Sequence, residues 1–272
     1  MINHGLTPQE IFFYRFLIAY LGIWVISPKR LFTNNWQDEL WLVAGGIFGG
    51  SLYFFTENTA LGITQASNVS FIICTAPLLT TILSLLFYKS EKASKGLIYG
   101  SLLALMGVGL IVFNGSFVLK ISPIGDLLTL LAALSWAFYS LIIKKMARRY
   151  PTVFITRKIF FYGVLTILPA FLLHPLQPDT AVLLQPAVLF NLLFLAVLAS
   201  LICYVLWNVV LKQLGTVRAS NYIYLNPLVT MIASFLILDE KITLVALGRR
   251  SLYCLRGILL KRNRIDYEKN DE

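Results

Sequence analysis

Residues 41–87 read WLVAGGIFGGSLYFFTENTALGITQASNVSFIICTAPLLTTILSLLF, an apolar stretch long enough for two membrane-spanning helices and a short polar turn. About 20 apolar residues cross the hydrocarbon core as a helix. Inside hydrocarbon only helices and closed barrels satisfy every backbone polar group. A barrel would show short segments of alternating polarity, and the chain shows none. The stretch therefore commits the chain to an all-α, polytopic membrane protein. The rest of the composition agrees: 58% of the residues are hydrophobic and only 13% charged, against about 25% charged in soluble domains.

Nine spans are expected, at 12–26, 41–62, 67–87, 96–113, 127–143, 159–173, 187–211, 219–238 and 242–260. Between them the loops 27–40, 88–95, 144–158 and 212–218 carry most of the basic residues. By the positive-inside rule these loops and the tail face the cytoplasm, and Met1 lies outside. The net charge of +10 is thus an orientation signal. The expected partners are the lipid bilayer and a small-molecule substrate, not nucleic acid, and a homodimer is allowed. Cys74, Cys203, Cys254, His4 and His174 have no ligand spacing, so no metal, disulfide framework or cofactor is expected. MINHGLTPQE lacks the basic, then apolar, pattern of a signal peptide.

Glu57 is the one carboxylate placed inside an expected span. A charge at mid-membrane costs about 2.5–3.5 kcal/mol on insertion scales, and such residues usually face a bundle interior or aqueous cavity. Glu57 is therefore the leading candidate for substrate binding and coupling; a packing role is the alternative. Arg15, on the antiparallel preceding span, lies at similar depth, so an Arg15–Glu57 ion pair is geometrically allowed. The glycines of GGIFGG (45–50) have the small-xxx-small spacing of close helix packing.

The two halves align at an offset of 150, which lays Asn58 on Asn208, Pro77 on Pro227 and Thr80 on Thr230. A repeat with an odd number of spans inverts the second half, the arrangement of many secondary transporters, with binding near the midplane. Asn58, Asn208, Asn68, Asn221 and Asn226 are expected along a central cavity, or as helix–helix hydrogen bonds. Trp136, Tyr139, Tyr222 and Tyr224 are candidates for an aromatic wall. Pro77 and Pro227 are expected to kink their helices.

NTALGITQASNVSFIICTAPLLTTILSLLFYKSEK, GLIYGSLLALMGVGLIV, GDLLTLLAALSWAFYSLIIKK and GTVRASNYIYLNPLVTMIASFLILDEKIT together resemble the EamA-type, ten-helix members of the drug/metabolite transporter superfamily over residues 8–248. The resemblance implies two inverted five-helix repeats, at 1–118 and 119–272, around a central cavity. It also implies alternating access for a small organic metabolite or drug, often exported and often proton-coupled, in a multi-pass inner-membrane protein. Two departures follow: the family's first helix has no counterpart before residue 11, and Arg249, Arg250 and Arg256 interrupt the last span. A truncated, non-transporting membrane protein is thus one alternative. The other, an integral-membrane enzyme, would need paired carboxylates, yet Asp38, Glu39, Glu91, Asp126 and Asp179 are scattered through loops.

Overall fold

In the computed structural model, residues 6–28, 32–64, 66–88, 122–173 and 180–226 are described, with isolated positions at 99–106, 175–176 and 229. All regular structure among them is helical. Helix α1 (Pro8–Ile26) starts on a proline and a capping box in which the Thr7 and Glu10 side chains each accept the other's backbone N–H. Its buried residues Phe12, Phe16, Ala19 and Ile23 recur at helical spacing and form one face. That face packs on the helix Thr152–Ile167 and on a π-helical segment, Phe194–Ile202.

Helix α2 (Trp36–Gly46) runs without a break through a π-helical segment, Ile47–Ser51, into α3 (Leu52–Ile63). A π turn displaces carbonyls from the regular ladder, and side chains of other helices take them. Ser135 Oγ donates to the Phe48 carbonyl at 2.8 Å and Tyr204 OH to that of Gly49 at 2.6 Å. The glycines make this segment approachable: a Cβ on Gly46 would fall on Tyr162, and one on Gly49 on the Tyr139 ring.

Helices α4 (Ala66–Ile73) and α5 (Ala76–Phe87) share one span. Pro77 does more than kink it: the helix is broken at Cys74–Thr75, and Pro77 sits in the first turn of α5, where a missing N–H costs least. Helix α6 (Pro123–Met146) is followed by the turn 147–151, α7 (Thr152–Ile167), and the short α8 (Ala170–Leu173) and α9 (Thr180–Leu183). Helix α10 (Pro186–Leu193) continues through Phe194–Ile202 into α11 (Cys203–Leu214). Gly215, at φ 79°, turns the chain into α12 (Thr216–Ser220) and a 3-10 turn, Asn221–Leu225.

Five of these continuous helices are long and apolar enough to cross a membrane. The uninterrupted Trp36–Ile63 helix, at roughly 40 Å, is also long enough. Residues such as Val25, Leu86, Phe190 and Leu172 are more than two-thirds exposed, as lipid-facing side chains are. The expected loop 144–158 is corrected: α7 begins at Thr152, so Arg157 and Lys158 lie inside a helix and are fully buried. Likewise 27–40 is a loop only as far as Asn35, which caps α2 by accepting from the Gln37 N–H. Most of the expected spans 96–113 and 219–238, all of 242–260, and Pro227, Arg249, Arg250 and Arg256 lie outside the described residues.

The repeat is visible in the backbone. An offset of 150 lays Ile47–Ser51 on 197–201, within the second π segment, and the α4 helix on 216–223, which is α12 and the start of the 3-10 turn. We expect Gly46→Ala to lose about 1–3 kcal/mol, because the new methyl overpacks Tyr162 and the Gly163 backbone. Gly62→Ala, with nothing within 4 Å, should be neutral or gain up to about 1 kcal/mol of helix propensity. Thermal unfolding of both variants in detergent checks the contrast.

Candidate transport site

Glu57 lies two turns beyond the first π segment, on the inner face of α3. Its Oε1 accepts a hydrogen bond from Tyr53 OH, one turn earlier, at 2.9 Å. Arg15 reaches in from α1. Its Nε donates to Ser200 Oγ in the second π segment at 2.9 Å, and its guanidinium lies 4.5 Å from the centre of the Phe54 ring. The Arg15–Glu57 ion pair allowed by the sequence is not made; the two are within coulombic reach of one another without contact. Among the described residues no acceptor meets Arg15 Nη1 or Nη2, and no donor meets Glu57 Oε2.

An aromatic frame surrounds this pair. The Trp136 ring centre is 5.2 Å from those of Tyr53 and Tyr139, 5.8 Å from Trp207 and 6.1 Å from Tyr204. Tyr204 also packs on Phe16 at 5.7 Å. The Trp207 indole N–H is buried without a hydrogen-bond partner among the described residues. Trp207 is the repeat equivalent of Glu57, and Tyr204 of Phe54.

A cavity of about 310 Å³ opens at the outer ends of α1, α3 and α7, lined by Pro8, Phe12, Phe54, Asn58, Thr59 and Ile167 among others. Phe12 and Phe54 form its inner lining, and Phe54 in turn contacts the Arg15 guanidinium. Asn58 thus faces the cavity. Its mate Asn208 does not: fully buried, it accepts from Tyr139 OH at 2.7 Å and donates to Thr156 Oγ1 at 2.9 Å.

The other expected residues divide. Trp136 and Tyr139 stand in the aromatic frame. Asn68 is buried on α4, and Asn221 is half-buried at the start of the 3-10 turn. Tyr222 is corrected: it is 56% exposed, and Asn226 is exposed as well. A three-residue turn places Tyr222 and Leu225 on one outward side, while Ile223 and Tyr224 point inward. Tyr224 packs with Cys74 and Phe71, away from Trp136. Residues that the sequence reading missed are Tyr53, Ser200, Tyr204 and Trp207. The offset of 150 from Glu57 and Phe54 was the available signal for the last two.

At the end of the bundle opposite the cavity, buried charges pair across the helices. Lys158 Nζ forms an ion pair with Glu39 Oε1, which also accepts from Tyr162 OH. Thr33 caps the other Glu39 oxygen through its hydroxyl at 2.6 Å and its backbone N–H at 2.9 Å. Asp38 accepts from Arg149 Nη1 at 2.6 Å and from Tyr150 OH at 2.9 Å. Burial, then the hydrogen bond to Asp38, raises the Tyr150 phenol above its ordinary value, so it stays a donor. Arg157 Nη1 donates to the Ser27 carbonyl at the end of α1.

Paired π segments, a polar pair held in the bundle and a cavity at one end define a polytopic membrane protein of the inverted-repeat transporter class. The EamA-like transporter family matches residues 1–113 and 123–248, and the chain belongs to that family. An uncharacterized transporter of Archaeoglobus fulgidus is 30% identical over 240 residues, covering 87% of this chain and 81% of its own. A protein of Escherichia coli named "Probable amino-acid metabolite efflux pump" is 22% identical, over 88% of this chain and 81% of its own. One crystal structure shares the fold with a TM-score of 0.77 at 18% identity, covering 95% of this chain and 90% of that one.

Replacing Asn208 by Ala should cost about 1–3 kcal/mol, since it strands the buried Tyr139 hydroxyl. Asn58→Ala, which strands nothing, should leave the unfolding midpoint within about 0.5 kcal/mol of the parent. Paired melting curves in detergent read the difference.

Proposed function

We propose that this chain is a secondary transporter that exports a small organic metabolite across the inner membrane by alternating access, with proton coupling at Glu57. The halves 1–118 and 119–272 are the two inverted repeats that rock about the Arg15–Glu57 pair. The observation that carries the reading is that pair itself. A guanidinium with four unused N–H donors and a carboxylate with an unused oxygen sit close together, inside a bundle, without pairing. Each is costly in hydrocarbon, and without contact the two offset that cost only in part. A ligand that brings an anionic fork to Arg15 and an ammonium to Glu57 offsets both. Guanidinium recognition of a carboxylate is bidentate and charge-assisted, and the Trp136 and Tyr204 faces suit the ammonium and its apolar substituents. The substrate class is therefore amphoteric, an amino acid or close derivative, in keeping with the name of the Escherichia coli relative.

Counterflow in proteoliposomes tests this with three probes: a zwitterionic amino acid, its methyl ester and its N-acetyl derivative. The parent should prefer the zwitterion. Glu57→Gln should raise its KM by tenfold or more, about 1.4 kcal/mol per factor of ten, and favour the N-acetyl compound. Arg15→Gln should favour the ester. Indifference of both variants to the probe's charge overturns the assignment, and unchanged accumulation driven by a pH gradient in Glu57→Gln removes Glu57 from coupling.

A further inference from the structure

Asp38 and Glu39 are consecutive, both are buried, and each is tied to a different element. Asp38 is held by the turn 147–151 through Arg149 and Tyr150, and Glu39 by α7 through Lys158 and Tyr162 and by the preceding loop through Thr33. Lys158 is fully buried inside an apolar helix and Glu39 is 7% exposed. Such a pair is weak evidence for stability: apolar residues of similar volume commonly do as well or better, because desolvation offsets the Coulomb gain. What a dry ion pair does provide is a bond whose strength depends on water. At a given separation two unit charges attract about four times more strongly at an effective dielectric of 20 than in bulk water. Contact is firm while the cytoplasmic end is dry and weak once water enters, which makes two states rather than a continuum.

The helix that carries these carboxylates is built to move as a unit. Helix α2 ends at Gly46, which lies against Tyr162, and the next five residues are the π segment, whose glycines lie against Tyr139, Gly163 and Phe16. π turns inside α-helices recur at functional sites. Beyond the segment, α3 carries Tyr53, Glu57 and Asn58. Glu39 and Glu57 thus stand on the two arms of one helix, with the hinge between them.

We propose that Glu39–Lys158, supported by Tyr162, Thr33 and the Asp38–Arg149–Tyr150 contact, is the cytoplasmic gate of this transporter, and that α2 is the lever it holds, turning about Ile47–Ser51. The proposal rests on the alternating-access reading above, but not on the substrate. Breaking the gate swings α2 off α6 and α7 and opens a cytoplasmic path. Turning α3 in the opposite sense narrows the outer cavity at Asn58 and Thr59. Ile142, 4% exposed, reports the first event, because it lies 3.4 Å from where a Gly45 Cβ would sit. Thr59, on the cavity wall, reports the second.

The test uses the full chain with Cys74, Cys203 and Cys254 replaced by alanine. Either Ile142→Cys or Thr59→Cys is added, and labelling by a membrane-impermeant maleimide is followed from one side at a time. With Glu39→Gln/Lys158→Met, Ile142→Cys should label at least tenfold faster from the cytoplasmic side of inside-out vesicles, and Thr59→Cys at least threefold slower from the outer side. The reciprocal exchange, Glu39→Lys/Lys158→Glu, should return both rates toward the parent. Parental rates in the double variant overturn the gate, and so does faster labelling at both sites, the mark of a merely loosened bundle. If the double variant is not monodisperse in detergent, Thr33→Val decides. It removes one donor to Glu39 and should speed cytoplasmic labelling by twofold or more; an unchanged rate overturns the proposal. Because labelling needs no substrate, failure of the substrate assignment leaves this readout intact.

Discussion

Inside a membrane bundle no bulk water is at hand, so each polar group must find its partner in the protein. That demand organises this structure. The carbonyls displaced by the first π segment are taken by Ser135 and Tyr204, which tie α6 and α11 to the α2–α3 helix. Asn208 joins α11 to both α6 and α7 through Tyr139 and Thr156. Lys158 takes Glu39 and Tyr162, and Arg157 takes the Ser27 carbonyl. Among the groups left without a partner within the described residues, the two terminal nitrogens of Arg15, one oxygen of Glu57 and the Trp207 indole N–H lie within one aromatic frame. That shared location, rather than any one residue, is what the proposed function builds on.

The inverted repeat gives these groups a second meaning. Positions separated by 150 share a backbone role but not a chemistry. Both π segments are kept, yet Glu57 faces Trp207 in register and Phe54 faces Tyr204. The asparagines are identical in both halves but differently placed, with Asn58 on the open cavity and Asn208 buried. Two copies of one supersecondary unit in different environments are what a two-state machine needs. In the proposed alternating access, interchanging the environments generates the second state without a new fold, since packed interfaces switch between discrete arrangements more readily than they deform.

Helix existence, the repeat and the family were legible in the sequence because each rests on long apolar runs and on rare polar residues, Glu57, Asn58, Asn208 and Pro77, in register. The local exceptions were not. Arg157 and Lys158 read as loop charges, since nothing linear in the sequence says that Glu39, 119 positions away, will be there to pair with Lys158. The π segments carry no periodicity signal beyond glycines already explained by packing. Tyr222 looked like part of the aromatic wall because helical spacing was assumed, whereas the chain after Gly215 makes a 3-10 turn with three residues per turn. In each case a long-range contact or a change of helical pitch decided the outcome, and neither is encoded in neighbouring residues.

The geometry also explains why the polar pair and the closed end sit on the same helix. A ligand shifts a conformational equilibrium only by its differential affinity for the two states. If the cytoplasmic closure belonged to a helix independent of Glu57, occupancy of the site would have no mechanical route to it. Here the route is short: Glu57 lies under two turns, roughly 9 Å, from the Ile47–Ser51 segment, and Glu39 about two turns, roughly 12 Å, on its other side. The segment between them is held by the hydrogen bonds from Ser135 and Tyr204, by the Ser51–Thr166 hydroxyl contact at 2.8 Å and by close glycine contacts. In the proposed mechanism, a site paired only when occupied, a hinge at the π segment and a closure that weakens when wet are three local compromises with stability. Placed along one helix, they make a coupled device.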